Sequence, residues 1–263
     1  MKKEIEKIKK LISAPYMRIL PGNIAFSLMM ALIPIISIIV FALNIFNFSY
    51  PTISDKLSNF IPSAVIELIM EFLGSNRFNS AFLLIIGIWA ASSGMNALII
   101  ASNVVYNHEP NGYLKRRSKA VMLTFLIILM IVINLGILVF GSSVLSFIIH
   151  LFNLSNILLI LFNSFKWPIG ILLIYTIVKT IYIVAPDAKI KNQTVIKGTL
   201  FTTILWMISS FIYSFYVTNI ANYGIKYGSI SNIIILMVWL YILSYVLVLG
   251  MAINVNEYNN ESK

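Results

Sequence analysis

The apolar and polar positions of this chain fall into long blocks. No Lys, Arg, Asp or Glu occurs at 19–54, 78–108, 120–165, 198–225 or 227–256. A helix crosses about 30 Å of hydrocarbon with about 20 apolar residues, so every block is long enough to span. In lipid each backbone N–H and C=O must bond within the protein, which leaves helices and closed barrels; barrel strands need only about 10 residues. The pattern predicts an all-α, polytopic membrane protein. Its six transmembrane helices are expected at about 22–47, 79–104, 120–147, 167–184, 198–218 and 231–253.

The intervening stretches carry their own patterns. In residues 1–20, Ile5, Ile8, Leu11 and Ile12 share one helical face, flanked by Lys2, Lys3, Lys7, Lys9 and Lys10. A basic amphipathic helix of this kind lies on a membrane surface rich in anionic lipid. Pro15 and the Pro21-Gly22 pair are expected to separate it from the first span, and Pro34 to kink that span. Residues 49–77 hold Asp55, Lys56, Glu67, Glu71 and Arg77. They read as an outer segment with a short amphipathic helix, opened by Pro62 and stopped by Gly74. Segment 150–166 admits two readings, an interfacial segment or the start of a long, tilted fourth span. The membrane domain then covers 21–257 and a short tail 258–263. The basic start runs into a long block with no A-x-A site, so it reads as a retained span, not a cleaved signal.

Charge sets the orientation, because Lys and Arg concentrate in cytoplasmic loops. With the N-terminus inside, fourteen of the nineteen Lys and Arg lie in the inner segments 1–20, 106–119, 185–197 and 254–263. Four lie in the outer loops, and Lys179 lies inside a span. Both termini are therefore expected in the cytoplasm, beside the anionic lipids of the inner leaflet.

Composition adds exclusions. Charged residues make up 11% of the 263 residues, against about 25% in a soluble domain. Cysteine is absent, which rules out disulfides, thiolate ligands and Cys nucleophiles. His108 and His150 fall on opposite sides of the membrane in this topology, so they cannot share a metal. No H-E-x-x-H, G-x-S-x-G or phosphate-loop pattern occurs. No catalytic residue, cofactor or metal site is expected. A metal-dependent nuclease needs converging carboxylates. The inner face offers Glu109 and Asp187 in separate loops, plus Glu4, Glu6, Glu257 and Glu261 near the termini. Lys115-Arg116-Arg117-Ser118-Lys119 reads as the cytoplasmic anchor of the third span, so no nucleic-acid partner is expected.

Candidate chemistry lies in the polar groups inside spans, which are costly in lipid and usually face the bundle interior. Ser92, Asn96 and Asn103 fall within about 40° on a helical wheel. They either hydrogen-bond neighbouring helices, the favoured reading, or line a polar path. Lys179 shares a face with Tyr175 and Tyr182; it either snorkels to the inner surface or contacts an anion there. Thr199, Thr203, Trp206, Ser210 and Tyr213 form a stripe that either packs closely or walls a partly wet cavity. The candidate substrate path is thus Ser92, Asn96, Asn103, Lys179, Tyr175, Thr203 and Ser210, in a groove between the second, fourth and fifth spans.

Four stretches taken together carry a family resemblance. They are Gly22-Asn-Ile-Ala-Phe-Ser-Leu-Met-Met-Ala-Leu-Ile-Pro34; Trp89-Ala-Ala-Ser-Ser-Gly-Met-Asn-Ala-Leu98 running on to Asn103 and Tyr106; Ala185-Pro-Asp-Ala-Lys189 followed by Lys197-Gly198 and Trp206; and Tyr227-Gly-Ser-Ile230 followed by Trp239-Leu-Tyr241 and Gly250-Met-Ala-Ile-Asn254. In order and spacing, over about residues 15–257, they resemble the YihY / virulence factor BrkB family of bacterial inner-membrane proteins, once labelled ribonuclease BN-like. The resemblance implies six spans, a bacterial cytoplasmic membrane and a transport or envelope role. It brings no catalytic residues with it. The expected function is a transporter or lipid-translocating protein of the envelope, its substrate an envelope lipid or small molecule. The alternative is a non-transporting envelope scaffold that gathers partner proteins. Loop chemistry argues against a ribonuclease. Without a nucleotide-binding motif or a span carboxylate, neither direct ATP use nor a carboxylate proton relay is expected. Oligomeric state is not fixed by any of these features.

Overall fold

The structure, a computed structural model, describes residues 13–45, 81–152, 155, 157–219 and 229–261. They form six helices: α1 (Tyr16–Ile45), α2 (Ala81–Val105), α3 (Tyr113–Phe152), α4 (Ile157–Val184), α5 (Ile196–Asn219) and α6 (Ser229–Glu261). The described part of every expected span falls on one helix. The described residues include no strand. Five helices are long and apolar enough to cross a membrane, and α1 contributes the apolar stretch Tyr16–Leu32. With 40 residues, α3 is about 60 Å long at 1.5 Å per residue, so it outreaches the hydrocarbon core.

The boundaries differ from expectation in two places. Pro21 and Gly22 do not break the chain, because α1 starts just after Pro15 and runs through both. A proline suits helical φ and forgoes one backbone bond, and the buried Pro21 sits near the helix start. Of segment 150–166, residues 150–152 close α3 and 157–166 open α4. From Ile157, α4 continues through Pro168 without interruption. Asn163, a polar residue in this stretch, accepts a hydrogen bond from Ser142 Oγ of α3 at 3.2 Å. Residues 1–12 of the amphipathic helix expected over 1–20 lie outside the described residues, as does the outer segment 49–77, while Tyr16–Leu20 belong to α1.

The helices form a ring in chain order, each packing on the next, with α6 closing onto α1. One core joins them at one end. It takes Met17 and Ile24 from the start of α1, Leu98 and Ile99 from the end of α2, Leu123 from the start of α3, Val178 from the end of α4, Val195 before α5, and Leu247 and Met251 from the end of α6. Starts and ends alternate, so successive helices are antiparallel, and the start of α1 and the end of α6 meet at this core end.

In lipid the tails are as apolar as the helices, so close packing and hydrogen bonds drive association. Glycines permit the closest approach, between α5 and α6. A Cβ on Gly198 would strike the Gly250 carbonyl, and one on Gly250 would strike Thr202 Oγ1 and the Tyr182 hydroxyl. Tyr182 itself ties three helices, bonding to Thr202 Oγ1 at 2.6 Å and donating to Leu247 O at 2.9 Å. Asn254 of α6 caps the start of α5, its Oδ1 accepting from Gly198 N at 2.8 Å.

Candidate functional site: a buried carboxylate, an arginine–tryptophan cluster and an apolar slot

At the core end, α2 stops in a Schellman motif. Asn107 takes a positive φ of 51°, a conformation asparagine tolerates. His108 N bonds to Asn103 O at 2.9 Å and Asn107 N to Val104 O at 3.2 Å. The motif holds Asn103, which clamps the loop after α4: Nδ2 donates to Asp187 Oδ2 at 2.8 Å, and Oδ1 accepts from Asp187 N at 2.8 Å. Asn111 N adds a bond to the same carboxylate oxygen at 3.1 Å.

Lys119 of α3 completes the cluster. Its Nζ lies 2.7 Å from Asp187 Oδ1 and also donates to the carbonyls of Ala185 and Pro186. The side chain of Asp187 is only 2% exposed. Burial pushes its pKa up, but the Lys119 ammonium and the donors of Asn111 and Asn103 outweigh that. The carboxyl is held well below the usual carboxylate range. Both carboxylate oxygens are engaged, so this acid joins three segments and is not poised for proton transfer.

The start of α3 crosses α2 higher up. Arg116 Nε donates to Asn96 Oδ1 at 3.2 Å. Arg117 donates to Trp89 O, and its guanidinium carbon lies 4.1 Å from the centre of the Trp89 ring. Trp89 is 54% exposed.

The other expected path residues are scattered. Ser92 is fully buried and donates to Trp89 O within its own helix. Thr203 is buried and donates to Thr199 O. The stripe on α5 faces α6: Trp206 Nε1 donates to Leu243 O at 2.8 Å, and Tyr213 stacks on Trp239 at 5.0 Å. Ser210, Tyr175 and Lys179 are half-buried. In the ring, α2 packs mainly on α1 and α3 while α4 packs on α3 and α5. The α2 candidates therefore share no extensive interface with those of α4 and α5, which pack on each other. Residue patterning missed the Asp187 cluster as a unit. Its one sequence signal was a lone acid beside Pro186 in an otherwise apolar and basic neighbourhood.

Away from the core end, an apolar slot opens between α3 and α4. It holds about 400 Å³ and is lined by Ile133, Gly136, Ile137, Gly141, Val144, Leu145 and Ile148 of α3 with Phe162 of α4. A Cβ at position 141 would run into the Phe162 ring, so glycine there lets the ring lie against α3. Gly136 faces open space.

A ring of long apolar helices defines a multi-pass α-helical membrane protein. Residues 18–263 match the model of the family described as Virulence factor BrkB, and the chain belongs to that family. It is 27% identical to a protein of Bacillus subtilis named as ribonuclease-like, YfkH, over 89% of this chain and 87% of that one. It is also similar to UPF0761 membrane proteins. One from Photobacterium profundum is 26% identical over 88% of this chain and 73% of the relative. One from Alteromonas mediterranea is 30% identical over 87% and 78%. No solved structure matches the chain.

Proposed function

We propose that this protein is a six-span component of a bacterial cytoplasmic membrane, with both termini inside, that moves an anionic amphiphile, such as an envelope lipid, between leaflets. The observation that carries the reading is the slot between α3 and α4. A site for a polar solute presents several convergent polar groups, whereas this one is walled by aliphatic side chains and one phenylalanine. Its shape and chemistry suit an acyl chain. The orientation rests on the antiparallel ring, which brings the start of α1 and the end of α6 to one core, and on the excess of Lys and Arg at that end.

Enzymatic activity is not part of this proposal, although one relative is named as ribonuclease-like. Asp187 is consumed by Lys119, Asn103 and Asn111, Glu257 faces Lys197, and Glu109 is exposed in the loop before α3. These acids do not converge.

The test is leaflet exchange in liposomes, read by reduction of a headgroup-labelled anionic phospholipid. Wild-type protein should exchange it faster than protein-free liposomes. Gly136→Phe, which fills the slot from an open position, should return the rate toward the protein-free value. Folded wild-type protein with no exchange above background would sink the proposal and favour the scaffold reading.

A further inference from the structure

We infer that Arg116 and Arg117, with Trp89 and Asn96, form a phosphate-binding site for the headgroup of an anionic phospholipid. The inference rests on the proposed membrane placement of the helices; it does not require that lipid be moved.

A guanidinium carries five N–H donors in a planar fork that matches phosphate oxygens. Arg116 commits one donor to Asn96 and Arg117 one to Trp89. Among the described residues neither meets a carboxylate. Glu257 faces Lys197 instead, and Asp187 belongs to Lys119. Two adjacent cations are therefore held by neutral groups with most of their donors unspent. One of these, Arg117 Nε, is buried without a partner. Removing a charged donor from water without a counter-group is costly, and a bound anion would offset that cost.

The surroundings select a lipid phosphate over a free one. The pair sits among exposed apolar and aromatic side chains: Trp89, Ile88, Leu114 (80% exposed) and Tyr113. Arg116 also lies 6.0 Å from the centre of the Tyr113 ring. An indole and a phenol beside cations suit the headgroup layer, with an apolar body toward the chains and a polar edge toward water. A free anion gains nothing from the apolar part of this wall, whereas a phospholipid uses both. Asn96 stiffens the Arg116 fork, and the Trp89 ring and carbonyl hold the Arg117 guanidinium, so less side-chain freedom is lost on binding.

The test is lipid selectivity of the full-length protein in phosphatidylcholine bilayers, read from the motional restriction of spin-labelled phosphatidylglycerol against spin-labelled phosphatidylcholine. The wild type should prefer phosphatidylglycerol. Arg116→Gln with Arg117→Gln should lower the preference by about fivefold, as expected for loss of charge-assisted forked bonds. Arg117→Lys keeps the charge but not the fork, and should fall between. Lys115→Gln, on the same turn but exposed, should leave the preference unchanged. Undiminished preference in the double variant, with an unchanged elution profile, would overturn the site; if that variant does not fold, undiminished preference in Arg117→Lys with a Trp89→Leu partner would do so. Inorganic phosphate at the concentration of the labelled headgroups should not displace the lipid; displacement would show a free-anion site and overturn the lipid assignment. Selectivity without leaflet exchange would sink the transport proposal alone, and exchange without selectivity would sink this one alone.

Discussion

The two ends of the helix ring are built on different principles. At the core end every helix contributes side chains to one cluster, and the polar groups there close on one another across long stretches of chain. Asn103 meets Asp187, Lys119 meets the same carboxylate, and Tyr182 bridges Thr202 and Leu247. Farther along α3 and α4, exposed apolar side chains such as Phe147, Leu151 and Leu161 face outward, and glycines leave a slot where packing would otherwise close. The contrast shows where this fold resists change and where it leaves room. Hydrogen bonds and backbone contact lock one end, while the described part of the other rests mainly on dispersion against neighbours and lipid, with Ser142 and Asn163 bonded between α3 and α4.

The sharpest way to break the contrast is at Asp187. Alanine there strands the Lys119 ammonium and the Asn103 and Asn111 donors; unpairing a buried ion pair costs about 3–5 kcal/mol. Thermal unfolding in detergent should show the largest loss of any single change. The same group gives a pH signature. Its folded pKa is depressed, so its contribution is complete above the ordinary carboxylate value of about 4 and shrinks as pH falls toward the folded value. Acidification through that range should lower the melting temperature of the wild type more than that of Asp187→Asn.

Next comes Gly250→Ala, whose new methyl meets Thr202 and Tyr182. Overpacking of this kind costs about 1–3 kcal/mol. Tyr182→Phe should cost less, about 1–2 kcal/mol, because it removes a hydroxyl but leaves Thr202 able to turn toward its own helix. Gly136→Leu sits at the permissive end. It should stay within about 0.5 kcal/mol of wild type, the usual range for a change that meets no neighbour, yet slow lipid exchange. A large stability loss at Gly136, or none at Gly250, would erase the distinction between the two ends.

Much of this was legible in the sequence. The charge-free blocks located all six helices, because lipid imposes length and apolarity on a span regardless of its neighbours. The start of α4 was obscured because Asn153, Asn156 and Asn163 surround the apolar run Ile157–Phe162. A proline inside a membrane helix forgoes only one bond, and Asn163 finds Ser142 across the gap. Wheel angles put Ser92, Asn96 and Asn103 on one face of α2 but carry no depth or partner. Ser92 turned back on its own helix, Asn96 met Arg116, and Asn103 reached a loop 84 residues away. The slot had no pattern of its own, since Gly136 and Gly141 are common residue types in any membrane helix.

The most direct measurement is photolabelling of the reconstituted protein with an anionic phospholipid that carries a diazirine in its acyl chain, followed by mapping of labelled peptides. Enrichment at Ile133–Ile148 and around Phe162, lost in Gly136→Phe, is the expected result. Labels spread evenly over the outward faces of α3 to α6, with no change in that variant, would contradict a lipid path between α3 and α4.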